Sequence, residues 1–187
     1  MPITPPDNRR LFYYRRTRIA VDAHQVGRKS IPVGRQFGYV LERSGRAEAA
    51  VMFDLLRDAE SWTDWAGSPI TCAAWRDDGS PGVGDDAVGR VRLVGTERFQ
   101  TPEEITVDDR PHVHGYRILS RWPVRDYESR VEFLPQGEGT TTVRWSGEFT
   151  ERIPGTGRLW RRFLVRFLGG LADNLIQEAQ RRARTLD

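Results

Sequence analysis

The feature that most constrains the fold is a strict alternation of polar and apolar residues in two neighbouring segments, 125–134 and 140–152. The apolar or small positions that alternate with charged and polar ones are Tyr127, Ser129, Val131 and Phe133 in the first segment and Val143, Trp145, Gly147 and Phe149 in the second. Successive side chains of a β-strand point to opposite faces of the sheet. Each segment is therefore predicted to be a strand with one covered face and one wet face, as in an antiparallel sheet that is buried on a single side.

Other segments extend this predicted sheet. Residues 37–44 and four later segments have strand composition and are bounded by turn sequences such as "DDRP". The four later segments are 69–76, 86–95, 103–109 and 113–120. The sequence thus predicts an antiparallel sheet of about seven strands.

A short helix is predicted over residues 45–58, between the first two strands. Apolar residues at positions i, i+3, i+4 and i+7 give it one apolar face, formed by Ala49, Met52, Phe53 and Leu56. Gly45 is predicted to cap the helix, with Glu48 at its third position. The stretch "AESWTDWAGS" that follows is predicted to be a loop carrying Trp62 and Trp65.

A long C-terminal helix is predicted over residues 157–185. Its apolar stripe at helical spacing consists of Trp160, Phe163, Leu164, Phe167, Leu171 and Leu175. Because a one-sided sheet needs a cover, this helix is predicted to lie on the apolar face of the sheet. Gly169 and Gly170 cost the helix about 2 kcal/mol together relative to alanine, which suggests a bend, a close approach or space beneath the helix.

Composition narrows the functional classes. The net charge is only +3, because 26 acidic residues offset 29 basic ones, so no specific nucleic-acid partner is expected. A single cysteine, Cys72, excludes an intrachain disulfide. The N-terminus lacks the apolar core of a signal peptide, and no apolar run reaches the roughly 18 residues of a membrane span. We therefore predict no transmembrane segment and a cytoplasmic location.

Residues 1–36 differ in composition from the rest and are predicted to form a basic N-terminal extension, followed by one ligand-binding domain over residues 37–187. The extension combines arginines with the aromatic cluster Phe12–Tyr14. It could dock on nucleic acid, an anionic membrane or a protein partner. We favour an extension that packs on the domain and is dispensable for its folding.

Three segments together resemble a known family. "YVLERSGRAEAAVMFDLLRDAESWTDW", the strand "GTTTVRWSGEF" and the final amphipathic helix are similar to the START-like superfamily, in particular its bacterial polyketide cyclase/dehydrase and lipid-transport branch (SRPBCC). The residues that carry the resemblance are Asp58, Trp62, Trp65 and the segment Gly139–Trp145. The resemblance implies an α+β helix-grip fold, in which a curved antiparallel sheet wraps around a long C-terminal helix and leaves an apolar cavity. It also implies that Trp62 and Trp65 lie near the cavity mouth, where each either lines the cavity, Trp65 more readily than Trp62, or fills the core.

The predicted cavity has one small wall position and one polar end. Gly147 lies between Trp145 and Phe149 on the covered face, so we expect open space there that Gly147→Leu would fill without unfolding the protein. Tyr127 and Ser129 would orient a ligand, although Tyr127 is equally well explained as a core tyrosine. The predicted ligand-binding residues are Trp65, Tyr116, Tyr127, Ser129, Trp145, Gly147, Phe167 and Leu171.

Other motifs favour neither a metal nor a cofactor. "HVH" places His112 and His114 two positions apart on a predicted strand, but a third ligand is missing. The glycine-rich "GSPGVGDDAVG" is followed by a strand rather than a helix, unlike a phosphate-binding loop. Glu103 shares a covered face with Ile105 and Val107, where it would act as a base unless it reaches water at the strand end.

The leading prediction is a protein that binds, transports or sequesters a hydrophobic or aromatic small molecule without a cofactor. One alternative is a polyketide aromatase/cyclase-type enzyme, for which no catalytic residue can be assigned from the sequence. The other alternative is an interaction module that docks through its basic extension.

Overall fold

Seven strands form one antiparallel sheet in the computed structural model of the chain, which describes residues 34–76 and 87–185. The strands are β1 (Gln36–Gly45), β2 (Cys72–Trp75), β3 (Val91–Gly95), β4 (Gln100–Asp109), β5 (Val113–Ile118), β6 (Val124–Gly137) and β7 (Thr140–Glu151). Their order across the sheet is β1-β7-β6-β5-β4-β3-β2. Residues 1–33 of the predicted extension and most of the glycine-rich turn lie outside the described residues.

The alternation that predicted β6 and β7 is confirmed. Tyr127, Val131, Trp145 and Phe149 are buried, whereas the intervening Arg144 is exposed. Among the strands that the structure describes, the first pairs with the last, β1 with β7, so that β1 forms one edge of the sheet. The two faces of the sheet therefore differ as the sequence predicted, and the apolar face carries the core.

Helix α1 (Ala49–Arg57) buries the predicted apolar face, formed by Ala49, Met52, Phe53 and Leu56. Its predicted start at Gly45 is wrong, because Gly45 is the last residue of β1 and pairs with Thr141 of β7. The helix begins only after Glu48, whose backbone is still extended.

The segment after α1 is helical rather than a loop. A 3-10 turn (Ala59–Ser61) leads into a short helix, α2 (Trp62–Trp65). The Asp58 carboxylate accepts a hydrogen bond from the Glu60 backbone N–H at 3.2 Å and so caps the turn. Both tryptophans are buried, with 2% of Trp62 and 5% of Trp65 exposed.

The C-terminal helix α3 (Gly157–Thr185) has the predicted bounds and packs mainly against β1, with further contacts to β7 and α1. Its buried stripe is centred on Leu164, Leu168, Leu171 and Leu175. The predicted stripe was partly wrong, since Phe163 is 46% exposed. Together the sheet and α3 form the helix-grip fold.

The two glycines of α3 do not leave space beneath the helix. A Cβ on Gly169 would lie 3.0 Å from Nη2 of Arg43, whose Nε pairs with Asp173 at 2.9 Å. Gly170 is exposed and has no neighbour within 4 Å of a Cβ. Gly169 thus permits a close approach of Arg43.

Candidate functional site

A cavity of about 350 Å3 lies between α3 and the part of the sheet formed by β3, β4, β5 and β6. Because α3 packs mainly against β1, at one edge of the sheet, the cavity lies between these strands on one side and the first half of α3 and α2 on the other. The apolar side chains that line the cavity are Trp62, Pro69, Ile70, Val94, Phe99, Ile118, Trp122, Phe163, Leu164, Phe167, Leu168 and Leu171.

The rim of the cavity includes the turn between β3 and β4. Gly95 ends β3 with a positive φ of 152°, and a Cβ there would collide with the backbone oxygen of Phe99. Glycine therefore allows the tight turn that brings Thr96 and Phe99 to the cavity. Phe99 is largely exposed, and with Phe163 it gives the rim an aromatic surface.

Glu103 is the single charged side chain among the described residues that line the cavity. It is 9% exposed, and its Oε2 accepts a hydrogen bond at 2.8 Å from Nε of the fully buried Arg92. Burial raises the pKa of Glu103, while the Arg92 charge opposes that change. The ion pair therefore links the Glu103 carboxylate in the cavity wall to the Arg92 guanidinium, which is buried behind that wall.

Arg92 is fixed by several further contacts. Its Nη1 donates to the Leu56 carbonyl oxygen at 2.9 Å and lies 3.4 Å from Nε2 of His114. The guanidinium carbon lies 4.4 Å from the ring centre of Trp62 and 4.9 Å from that of Tyr116, within cation–π distance. These contacts hold the guanidinium in one orientation.

His114 continues this polar chain away from the cavity. Because an arginine only donates, Nε2 of His114 is the acceptor and the ring proton is on Nδ1, which lies 3.5 Å from Oδ1 of Asp108. Burial lowers the pKa of His114 to about 4, although Asp108 acts in the opposite direction. Asp108 also accepts from Nε of Arg57 at 2.9 Å, at the partly exposed end of the chain.

A second polar network lies beside the cavity, among buried tyrosines. The hydroxyl of Tyr39 is 2.6 Å from that of Tyr127 and 3.2 Å from Oγ of Ser129. Ser129 also accepts from Nε1 of Trp145 at 2.9 Å. Burial raises the pKa of Tyr39 to about 12 and that of Tyr116 further. These hydroxyls therefore stay protonated near neutral pH.

The structure brings half of the predicted ligand-binding residues to the cavity. Tyr116, Tyr127, Phe167 and Leu171 line it, whereas Trp65, Ser129, Trp145 and Gly147 lie outside its wall. Ser129 and Trp145 are buried partners of the tyrosine network. Whether the four lining residues contact a ligand remains a prediction.

Of the two tryptophans of α2, Trp62 occupies the lining position that was expected for Trp65. Trp62 lines the cavity, and its Nε1 donates to the Leu56 carbonyl oxygen at 2.9 Å. Trp65 packs against Trp62 with ring centres 5.0 Å apart and lies away from the cavity. Trp62 and not Trp65 is therefore the tryptophan of α2 that lines the cavity.

The open space expected at Gly147 is filled by Tyr39. A Cβ on Gly147 would lie 2.5 Å from the hydroxyl oxygen of Tyr39 and 2.6 Å from the Glu128 backbone oxygen. Tyr39 is the residue opposite Gly147 in the β1–β7 register, which the pattern of a single strand could not reveal. The expectation that Gly147→Leu would fill a cavity in a folded protein is therefore wrong.

Sequence reasoning missed Arg92 as a partner of Glu103. The available signal was partial, because both residues lie in neighbouring predicted strands and carry opposite charges, but neither strand by itself indicates which residues face each other. The register pairs Arg92 with Glu103 directly across β3 and β4. Oppositely charged residues at facing positions of the covered face indicate a buried ion pair.

The two histidines of the "HVH" motif differ in their exposure to solvent. His112 is exposed in the turn before β5, whereas His114 is fully buried within β5. Their expected placement on one strand face is therefore wrong. The described residues contain no group of three or more His, Cys, Asp or Glu side chains suited to a metal ion. No helix in the described ranges is long and apolar enough to cross a membrane.

Comparison with known proteins agrees with this architecture. The model of the family described as "Polyketide cyclase / dehydrase and lipid transport" matches residues 40–180. No curated protein matches the chain.

Three solved structures illustrate the similarity in fold. The Zhui aromatase/cyclase from Streptomyces sp. R1128 is 15% identical, with 80% of this chain and 96% of that chain covered and a TM-score of 0.64. Norcoclaurine synthase from Thalictrum flavum, in complex with dopamine and hydroxybenzaldehyde, is 14% identical, with coverages of 87% and 98% and a TM-score of 0.64. A START superfamily protein from Mycobacterium smegmatis is 15% identical, with coverages of 79% and 99% and a TM-score of 0.58.

Proposed function

The chain belongs to the polyketide cyclase/dehydrase and lipid-transport family, and on that premise we propose that it binds a hydrophobic or aromatic small molecule in the cavity beneath α3. The observation that carries the proposal is the cavity itself. Its volume of about 350 Å3 falls in the range of roughly 300–1,000 Å3 that is typical of small-molecule sites. Transport or sequestration of that molecule, in the cytoplasm, is part of the same proposal.

The chemistry of the wall supports an apolar guest. The lining is mostly aliphatic and aromatic, with Trp62 and Trp122 among its largest side chains. Water in such a space makes few hydrogen bonds, so an apolar molecule that displaces it is favoured. The tyrosine network beside the wall stays neutral and adds no charge to the site.

A titration with an aromatic and an aliphatic probe tests the proposal. We expect 1-methoxynaphthalene or 1-dodecanol, both uncharged, to change tryptophan fluorescence and to raise the melting temperature as the ligand concentration rises. Mass spectrometry of small molecules released from the gently purified protein would identify a natural ligand.

Two matched variants locate the binding site. Ile118 lines the cavity, whereas its neighbour Leu119 is exposed and does not. We expect Ile118→Trp to obstruct the cavity and weaken binding at least tenfold, while Leu119→Trp, which adds the same fluorophore, binds like the parent. Equal binding by both variants, or no binding of either probe by the parent, would contradict the proposal.

A second candidate is a polyketide aromatase/cyclase-type enzyme. The observation that favours it is the Glu103 carboxylate in the cavity wall, which could accept a proton from a bound substrate. The similarity in fold to an aromatase/cyclase is compatible with this role. Incubation with a poly-β-ketone thioester, followed by mass spectrometry, would test it, and we would expect Glu103→Gln to lose any cyclised product.

Docking through the basic extension remains a separate prediction, since residues 1–33 lie outside the described part of the chain. Association with anionic vesicles or RNA that weakens steeply with added salt would support it.

A further inference from the structure

Glu103 presents one free carboxylate oxygen to the cavity. Oε2 is held by Arg92, whereas Oε1 accepts no hydrogen bond from any described residue. Oε1 is not sealed from solvent, unlike the enclosed and unpartnered Nη2 of Arg92. An acceptor in a mostly apolar space is stabilised by any group that donates to it.

This oxygen is held in place before a ligand arrives. Arg92 grips the other carboxylate oxygen at 2.8 Å and is itself fixed by the Leu56 carbonyl, by His114 and by the rings of Trp62 and Tyr116. An acceptor fixed by its own partners loses little freedom on binding, so it discriminates strongly between ligands.

The charges behind Glu103 decide which kind of donor is favoured. Burial raises the pKa of Glu103, but Nε of Arg92 lies 2.8 Å from its carboxylate and favours the charged form. We therefore assign negative charges to Glu103 and Asp108, opposite Arg92 and Arg57, while His114 is neutral because burial lowers its pKa to about 4. The chain of groups is therefore neutral overall. An ammonium group would add an unbalanced charge close to Arg92, whereas a hydroxyl group adds none.

The geometry points to Oε1 of Glu103 as the acceptor that selects, among apolar guests, an aromatic molecule bearing a neutral hydroxyl group. The rings of Trp62, Tyr116, Trp122 and Tyr127 line the cavity around Glu103 and suit a flat guest. This inference rests on the proposed function, since it requires that the cavity bind apolar molecules.

Three ligands that share one ring system test the inference on the unmodified protein. 1-Naphthol, 1-methoxynaphthalene and 1-naphthylmethylammonium are titrated by calorimetry at about pH 7, where the naphthol hydroxyl is uncharged. We expect 1-naphthol to bind about tenfold more tightly than its methyl ether, because only the naphthol donates to the carboxylate. The ammonium compound is expected to bind no better than the ether.

Glutamine variants at two neighbouring positions locate the acceptor. Glu104 follows Glu103 on β4 but pairs with the exposed Arg117 and does not line the cavity. Glu103→Gln is expected to reduce the preference for naphthol over the ether to about twofold, because a neutral acceptor is weaker. Glu104→Gln is expected to keep the full preference.

A double variant covers the case in which Glu103→Gln leaves Arg92 unpaired and fails to fold. Arg92→Met/Glu103→Leu removes both charges together and should also abolish the preference. Failure of all three ligands to bind the parent would refute the proposed function. Equal affinities for naphthol and ether, or tightest binding of the ammonium compound, would overturn this inference while leaving the proposed function intact.

Discussion

At the scale of single residues, His114 is expected to make the stability of the protein depend on pH. An unfolded histidine binds a proton below about pH 6.5, whereas the folded His114 does so only near pH 4. The unfolded state thus binds more protons between these values, and stability falls as the pH falls. The pKa difference of His114 should therefore lower the unfolding free energy by about 2 kcal/mol when the pH falls from 7 to 5.

Urea unfolding at both pH values measures this effect. We expect the unfolding free energy of His114→Gln to fall much less between pH 7 and pH 5 than that of the parent. The unfolding free energy of the exposed His112→Gln should fall as much as that of the parent. Each variant is compared with the parent, because Glu103 acts in the opposite direction. Its pKa is raised in the folded state, so it makes the protein more stable as the pH falls. The same pH dependence in His114→Gln and the parent would show that folded His114 binds its proton at the same pH as an unfolded histidine.

Gly147 is expected to tolerate no side chain. A Cβ would press on Tyr39 and on the Glu128 backbone, so Gly147→Ala should lower the unfolding free energy by roughly 1–3 kcal/mol. On the paired strand, a Cβ at Gly38 would meet only the Gly147 oxygen at 3.6 Å, an ordinary contact. Urea unfolding should show little change for Gly38→Ala, and a similar loss in both variants would refute the steric explanation.

At the scale of elements, the start of α3 depends on a carboxylate from β7. Oε2 of Glu151 accepts hydrogen bonds from the backbone N–H groups of Gly155 and Gly157, each at 3.0 Å. These donors precede or begin the helix, where negative charge is favourable. We expect Glu151→Ala to lower the unfolding free energy by about 1–2 kcal/mol in urea titrations. Glu148→Ala, on the same strand but exposed, should change it much less.

At the scale of the whole molecule, the seven strands and α3 lie within residues 34–185. We therefore expect a protein that begins at residue 34 to fold, with a melting temperature only a few degrees lower, the effect of about 1 kcal/mol. Circular dichroism melting of the full and shortened chains measures this. An insoluble or unfolded short chain would show that Phe12–Tyr14 contribute to the core.

The pattern of single strands and helices determined much of the architecture. The period-two alternation around Tyr127 and Trp145 specified which face is covered, and the period of α3 specified its bounds, because both follow from local backbone geometry. A sheet with one apolar face then required the long helix as its cover. The start of α1 was misplaced because Gly45 is held by pairing with β7, a contact distant in sequence.

The candidate site was decided mainly by tertiary structure. The strand pattern showed that Gly147 and Glu103 face inward, but it could not show what lies opposite each of them. The β1–β7 register filled the space at Gly147 with Tyr39, and the β3–β4 register placed Arg92 against Glu103. The sequence determined which faces are apolar, because that depends on neighbours along the chain. The position of the cavity depends on how α3 crosses the sheet, which only the packed structure decides.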